Sequence, residues 1–569
     1  MAEQVKMKSS STTHEVENNK ITVQNELKSY QNAGKKLVSI LSNGSRGDIQ
    51  PLIGLALELS KTYRVRILTN SGSAQKFVES FPGLEYVEIW PYDFEEILRN
   101  NEGYLNAMAK ADTFKVFQML DELEQENAPM MMQNFLNEMR QNTPDLLLAG
   151  PVAEYMMHYA RRVLKLHVLN YYLQTILYNP NHAPLGLPKL PFGMHYYLLL
   201  FVSKSMFKNF ERFDKLVIQM GERPLSLSQT EYMQNESNSL KGFASHKFLI
   251  CQSPLFRNVL RPGADPERYI YTGACIVEAE HQRKYNDNFG GDDGQKQIES
   301  FLDEDKKKKT CLSWIWQHVR YVDTILHNIS TRQESTLCSS FNHLHSFSTT
   351  GNKPEYMVVM VVKALMHANE RGIILGGYAG LSLELLCEAT DDQDIISYAK
   401  KYILFVKAAS HEWLFPLVKC IVHHGGAGTT QAALRSGVPT VITPIFLDQF
   451  CHSHAINELG VGKGFKYGMK KLTHTELGSA IMAVQSEEIR ERCREISTTI
   501  RQENGNETAA KVIKKVLDEG PQNNALDPSL LESQRNQPYI APELFVASLK
   551  VITVACVTKA LVSSFLVSN

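Results

Sequence analysis

Apolar positions along this chain fall into two patterns, short unbroken runs and spaced repeats, and the two alternate. Lys36-Leu37-Val38-Ser39-Ile40-Leu41-Ser42 is an unbroken run, as expected of a parallel strand buried on both faces. The polar turn Asn43-Gly44-Ser45-Arg46-Gly47-Asp48 follows, and then Leu52, Leu55, Ala56 and Leu59 recur at helical spacing. Arg64 to Thr69 is a second run, so the segment reads as a βαβ unit. Further strands are predicted at Asp145 to Ala149, Leu166 to Leu169, Lys247 to Cys251 and Tyr269 to Thr272, with helices over Val152 to Leu164 and Leu198 to Met220. The same alternation returns with runs at Gly372 to Leu375, Tyr402 to Val406, Cys420 to His423 and Thr440 to Thr443. The pattern predicts an α/β protein with two doubly wound domains, 35–275 and 350–505.

The segments between and around these domains differ in composition. Residues 1–34 begin polar and rich in Ser, Thr and Glu, with no apolar core of a signal peptide, and are expected to form a disordered extension. Residues 276–310 are expected to be a linker, since Glu278 to Lys309 is hydrophilic, contains Gly-Gly-Asp-Asp-Gly and ends in four lysines. The lysine run is either a solvated charge run or a phosphate grip. Residues 506–569 are expected to be a tail. Its Leu544 to Val567 stretch is apolar but carries Lys550 and Lys559, which suits a packed helix or a weak membrane-surface helix better than a spanning one.

Charge narrows the partners. Sixty basic residues stand against 61 acidic ones, so the basic excess of a nucleic-acid binder is missing. Nine scattered cysteines without a Cys-x-x-Cys pair suit a reducing compartment, and the expected location is the cytoplasm, with peripheral contact at membranes left open.

The densest chemistry lies at Val422-His423-His424-Gly425-Gly426-Ala427-Gly428-Thr429-Thr430. A strand runs into two histidines, a glycine-rich turn and a helix start. Glycines let backbone approach a ligand, and the N–H groups of a helix N-terminus face an anion. Thr429 and Thr430 supply hydroxyls or cap the helix. The segment reads as a diphosphate cradle, although it is not a P-loop, since no Gly-Lys-Ser/Thr ends it. Downstream, Asp448 and Gln449 follow a strand end, where a carboxylate beside an amide suits sugar hydroxyls. Cys451, His452 and His454 invite a zinc reading, but no second ligand cluster has metal spacing, and no metal is expected. Leu414 and Phe415 are expected to pack in the core.

Together, His411-Glu412-Trp413-Leu414-Phe415-Pro416, the His423 to Thr430 segment and Asp448-Gln449 resemble the signature of sterol 3-beta-glucosyltransferases, relatives of the glycosyltransferases of glycopeptide antibiotics. Gly44-Ser45-Arg46-Gly47-Asp48-Ile49-Gln50-Pro51 is similar to that family's opening loop, and Gly376-Gly377-Tyr378-Ala379-Gly380-Leu381 to a further segment of it. The resemblance implies a GT-B fold, two Rossmann-like domains facing a cleft, and inverting, metal-independent transfer of glucose from UDP-glucose to the 3-beta-hydroxyl of a sterol or similar lipid-like alcohol. The UDP-sugar would be a co-substrate and no cofactor is expected. His424, Gly425, Gly426, Gly428, Thr429 and Thr430 would hold the diphosphate, and Asp448 and Gln449 the donor sugar. Ser45 and Arg46 would belong to the acceptor-side loop, and Asp48 would be the base. A carboxylate in a strand-to-helix turn suits that task, or simply caps the helix that follows. The aromatic and proline-rich stretch from Tyr171 to Gly193 either receives the flat alcohol or packs as an ordinary loop.

Two departures qualify the resemblance. Many eukaryotic members carry lipid-binding modules ahead of the catalytic region, and residues 1–34 are too short for one. The family also opens its second domain with a strand and a Gly-Phe/Tyr-Gly-Ser-Met loop that contacts the donor, whereas 311–349 reads as anomalous. The expectation is a shifted reading frame or unspliced sequence there. Trp314-Ile315-Trp316-Gln317-His318-Val319, shifted by one base, must read Gly-(Phe/Tyr/Ser)-Gly-(Ser/Asn)-(Met/Thr). The alternatives are a catalytically impaired nucleotide-sugar binder and a glycosyltransferase for another lipid or polyketide acceptor.

Overall fold

β1 (Leu37–Leu41) is buried at every position, as its unbroken apolar run predicts. Its side chains alternate between two cores. Val38 and Ile40 pack with Ile49, Leu52 and Ile53 of the helix Arg46–Ser60. Leu41 faces the other way, onto Met131, Phe135 and Tyr159. The computed structural model describes residues 34–521 except 102, 105, 106, 108–112, 175–177, 180, 181, 183–193, 243, 245, 261–263, 279, 280, 283, 284, 286–288, 304–310, 316–353 and 446. The extension before 34, most of 311–349 and the apolar end of the tail therefore lie outside the described residues.

β2 (Arg64–Asn70), β3 (Glu85–Trp90), β4 (Leu146–Ala149), β5 (Val168–Tyr172), β6 (Phe248–Ile250) and β7 (Tyr269–Tyr271) join β1 in a seven-stranded parallel sheet of order β3-β2-β1-β4-β5-β6-β7. β8 (Cys311–Ile315), β9 (Gly372–Leu375), β10 (Ile403–Val406), β11 (Ile421–His423), β12 (Thr440–Ile442) and β13 (Gly462–Gly464) form a six-stranded parallel sheet of order β10-β9-β8-β11-β12-β13. Strand order reverses between β1 and β4 in the first sheet and between β8 and β11 in the second. Loops leaving the carboxyl ends of strands diverge at such points and open a crevice for ligand. The loop after β1 is Ser42 to Ser45, and the loop after β11 is His424 to Gly426.

Three boundaries differ from the sequence reading. The second sheet includes β8, paired with β9 and β11, so 311–315 belongs to the second domain and not to a separate insert. The hydrophilic linker contains a helix, Gly291–Asp303, whose one fully buried apolar residue, Ile298, packs with Ile373, Leu414 and Phe415. The first turns of the tail are also ordered. The helix Gly505–Glu519 returns to the first domain, where Ala509, Ile513 and Val516 join the core of Val38 and Ile40. Each fully buried Ile or Val of this kind stabilises the docking by about 1.5–3 kcal/mol. Asn506 anchors the crossing, since its side chain accepts from the Ile276 N–H at 3.2 Å and donates to the Ile276 carbonyl at 2.8 Å. Among the described residues no helix is long and apolar enough to cross a membrane.

Candidate active site

Asp48 is the third residue of the helix Arg46–Ser60, and Ser45 is its N-cap. The Ser45 N–H donates to Asp48 Oδ2 at 2.9 Å and the Ser45 hydroxyl to the same oxygen at 3.1 Å. A Cβ at Gly44 would lie 2.3 Å from that oxygen, and Gly44 has φ +144°, so glycine alone leaves room for the carboxylate. Asp48 is therefore a capping residue by geometry, with one oxygen, Oδ1, outside those bonds. Burial raises its pKa from 3.8 to about 6 against the two Ser45 bonds, with help from the charges of Asp448 and Glu95.

Arg46 is held away from open solvent. Its N–H donates to Glu95 Oε1 at 2.7 Å, its Nε to Gln50 Oε1 at 3.0 Å, and its guanidinium lies 4.7 Å from the Phe77 ring and 4.9 Å from the Phe289 ring. Ser45 is buried and committed to Asp48.

Across the cleft, the second-domain loop is shaped by its glycines. Gly425 has φ +95°, a Cβ there would lie 2.7 Å from Ile442 Cγ2, and its N–H donates to His423 Nδ1 at 3.0 Å. A Cβ at Gly426 would meet His424 Nε2 at 2.6 Å, whereas one at Gly428 would stand in open space. Gly426 caps the helix Ala427–Ser436, and having no side chain it leaves the first-turn N–H groups uncapped from the N-cap position. That is the arrangement an anion needs. Thr430 departs from expectation. Its hydroxyl donates to the Gly426 carbonyl at 2.8 Å and it is fully buried, so it braces the loop from behind. Thr429 and His424 are also buried, each 7% exposed. His411 has its pKa lowered to about 3 by burial first, then by Arg46 and His424, which places all three side chains in one electrostatic neighbourhood. As expected, Leu414 and Phe415 are core residues, while His411 stacks on Phe415 at 4.7 Å.

Asp448 caps the helix Gln449–Leu459. Leu447 before it has φ +48°, a conformation that costs a β-carbon residue on the order of 1 kcal/mol and turns the chain into the cleft. Burial raises the Asp448 pKa to about 7, opposed by its own backbone N–H and by the side chain of Gln174 from the first domain. The charge of Asp448 thus reaches Asp48 from the opposite domain. Gln449 is partly committed, because its Oε1 accepts from the Ile445 N–H at 2.8 Å and closes the turn that carries Asp448.

Tyr171 is a core residue, 2% exposed, with its hydroxyl on the Leu41 carbonyl. Residues 175–177, 180, 181 and 183–193 of the Tyr171 to Gly193 stretch lie outside the described residues. Sequence reasoning missed the polar group beside it. Tyr232 donates to Glu154 Oε2 at 3.4 Å and Ser203 to Glu236 Oε2 at 3.2 Å. Burial, and for Glu154 also the charge of Glu236, raises both carboxyls. It also missed the contacts that join the domains. Ser253 N–H donates to Gln431 Oε1 at 3.1 Å, and Gln252 reaches His452 at 3.1 Å. No local spacing signals these contacts, since their partners stand 178 and 200 residues apart.

Two parallel sheets whose switch points face each other, with a glycine loop on one side and a capped carboxylate on the other, define the GT-B glycosyltransferase fold. Solved structures agree: the glycotransferase of kitacinnamycin matches with a TM-score of 0.53 at 17% identity, over 85% of this chain and 99% of that one. LpCGTa in complex with UDP matches with a TM-score of 0.50 at 10% identity, over 85% and 99%. The sequence is similar to those of sterol 3-beta-glucosyltransferases. It is 25% identical over 498 residues to that of Yarrowia lipolytica, which is 85% of this chain and 29% of the relative. It is 43% identical over 117 residues to that of Aspergillus oryzae, 20% of this chain and 8% of the relative. The chain thus spans less than a third of the length of these relatives. Residues 402–519 match the model of the Erythromycin biosynthesis protein CIII-like, C-terminal domain.

Proposed function

We propose that this chain is an inverting glycosyltransferase that moves glucose from UDP-glucose to the 3-beta-hydroxyl of a sterol or a similar lipid-like alcohol. The observation that carries the reading is that the helices starting at Arg46 and at Ala427 touch across the two domains, which brings Asp48 beside the Gly425 to Gly428 loop and within reach of the charge of Asp448. In this reading the diphosphate lies on the first-turn N–H groups after Gly426, beside His424, and Asp448 holds the sugar. The acceptor oxygen attacks the anomeric carbon, its proton passes to Asp48, and the bond from that carbon to the diphosphate breaks on the opposite face. The leaving UDP keeps the electron pair, and its charge meets the loop amides. No metal or cofactor takes part. Gln449 holds the loop and, through its amide group, the sugar. Location in the cytoplasm, with peripheral contact at a membrane, belongs to the same proposal, since a sterol is presented there.

A second reading, a nucleotide-sugar binder with impaired catalysis, is favoured by one observation. The sequence that follows β8 lacks the glycine loop of the related enzymes. Product analysis after incubation with UDP-glucose and a 3β-hydroxysterol tests both. A steryl β-glucoside supports transfer. UDP binding without product supports the impaired binder, and absence of both removes the proposal.

A further inference from the structure

His452 lies one turn into the helix Gln449–Leu459 and is 1% exposed. Both of its ring nitrogens are in use. Nδ1 lies 2.7 Å from the Gly425 carbonyl oxygen, and Nε2 lies 3.1 Å from Nε2 of Gln252, which belongs to the first domain. A carbonyl only accepts, so Nδ1 carries the hydrogen; in the neutral ring Nε2 then accepts from the Gln252 amide. Burial holds the ring neutral, with its pKa lowered to about 4. Phe256 meets the ring edge-on at 5.6 Å and 82°, which fixes its plane. Asp448 Oδ2 is 3.6 Å from Nδ1, too long for a hydrogen bond.

The consequence lies in the geometry of one peptide unit. A trans peptide is planar, and its C=O and N–H point in opposite directions. With the Gly425 carbonyl drawn onto His452, the N–H of Gly426 is directed away from it, on the side of the unit opposite the buried ring. Gly425 and Gly426 have no side chains to resist rotation of that unit, and the loop's own glycines therefore do not fix which group faces the anion. A flipped unit would present a carbonyl oxygen to the diphosphate.

We propose that His452 is a positioning residue that holds the Gly425–Gly426 peptide with its N–H toward the donor diphosphate, in a tautomer fixed by Gln252 of the other domain. The inference rests on the glycosyltransferase reading for the identity of the anion, but not for the state of the loop. It is tested with three full-length variants. His452→Leu removes the donor. His452→Asn keeps an amide N–H near the Nδ1 position, and His452→Asp, measured above about pH 8 where its carboxylate is ionised, has the same size but only accepts. Amide hydrogen exchange of peptides covering 424–430 is compared with the rest of the chain, and UDP affinity is measured by calorimetry. His452→Leu and His452→Asp should each speed exchange in 424–430 about tenfold, with other segments unchanged, and weaken UDP about tenfold. His452→Asn should stay within about threefold of the parent on both measures. Unchanged local exchange in His452→Leu, exchange that rises equally everywhere, or an Asn variant no better than Asp would each overturn the proposal. If His452→Leu does not fold, the Asn and Asp pair decides alone. If the parent protein binds no UDP, the glycosyltransferase reading fails, and the exchange data still decide whether His452 sets the loop.

Discussion

Replacing Asp48 by Asn separates its two possible tasks. The side-chain oxygen of Asn can still accept from the Ser45 N–H, which Asp48 Oδ2 does at 2.9 Å, so the cap is kept in large part. What is lost is the ability to take a proton. With its pKa at about 6, Asp48 is roughly nine-tenths ionised at pH 7 and about one-tenth ionised at pH 5. If it is the base, kcat/KM should fall about tenfold between those two pH values, on an acid limb centred near 6 rather than in the ordinary carboxylate range. Asp48→Asn should lower the rate by at least about a hundredfold and abolish that limb, while UDP affinity stays within about threefold. Stability gives an independent check of the pKa itself. The folded-state value lies above the unfolded one, so the native form binds the proton more tightly and stability falls as pH rises from 3.8 to about 6. At neutral pH Asp48→Asn should regain part of that loss, at most about 3 kcal/mol at 1.36 kcal/mol per unit. The measurements are a pH series of initial rates by product chromatography and thermal unfolding at pH 5 and 8. A variant that keeps more than about a tenth of the rate, or an acid limb that survives it, would refute Asp48 as base and leave only the cap.

Other expectations follow from the same geometry. His424→Ala should weaken UDP by about 1.5–3 kcal/mol in calorimetry with the fold intact, and unchanged affinity would remove His424 from the diphosphate site. Asp448→Ala should weaken UDP-glucose more than UDP, whereas Gln449→Ala, which also frees the Ile445 N–H, should weaken both; equal losses for Asp448→Ala would place it away from the sugar. Glu154 has its carboxyl raised by burial and by Glu236, so the native state holds that proton and loses stability as pH rises through neutrality. Glu154→Gln should therefore raise the melting temperature at pH 8 and leave it nearly unchanged at pH 5; an equal shift at both pH values would count against a buried titrating pair.

The parts of the molecule that were legible in sequence are those where one side chain answers to one local rule. β1 is an unbroken apolar run because both faces are buried, and Gly425 and Gly426 announce a turn that no β-carbon can occupy. β3 was missed because Glu85 and Glu88 interrupt it, and Glu85 is there to meet Arg64 and Arg66 of β2. β13 was missed because Gly-Lys-Gly carries no apolar signal, yet Gly462 is required, since a Cβ would lie 1.9 Å from the Thr440 carbonyl. The chemistry of Thr430 and Gln449 suggests ligand contacts but not that the Thr430 hydroxyl and Gln449 Oε1 also bond to backbone. His452 was unreadable for a deeper reason. Its partners are Gly425, 27 residues away, and Gln252, 200 residues away, and no local spacing encodes a contact across two domains.

β8 bears directly on the reading frame of 311–349. The strand is central in the second sheet, with Ile315 paired to His423 on one side and Leu375 on the other, so the chain leaves it at the switch point beside the diphosphate loop. Both ladders shift register around Trp314, between Ser313 and Ile315 on β8 and between Val422 and His423 on β11. A bulge at the end of a strand that faces a ligand is a place where glycine is favoured, because backbone and ligand approach each other closely there. The shifted frame forces glycine from Trp314-Ile315 and again from Trp316-Gln317, since tryptophan has the single codon TGG, every isoleucine codon begins with A and every glutamine codon with C. Two glycines would thus fall where β8 ends and where the related enzymes carry theirs. The position of β8 gives the shifted frame a physical role, the supply of backbone N–H groups to the donor from the second side of the switch point. We therefore propose that the natural message encodes a Gly-x-Gly loop after β8. Residues 316–349 lie outside the described residues, so the test is made on the transcript and the protein together. Restoring the shifted frame over this stretch should raise UDP affinity by at least about tenfold, the worth of one or two added hydrogen bonds to a charged group. A transcript that encodes 311–349 as it stands, in a protein that transfers glucose efficiently, would show that the loop after β8 is dispensable and that the insertion is real.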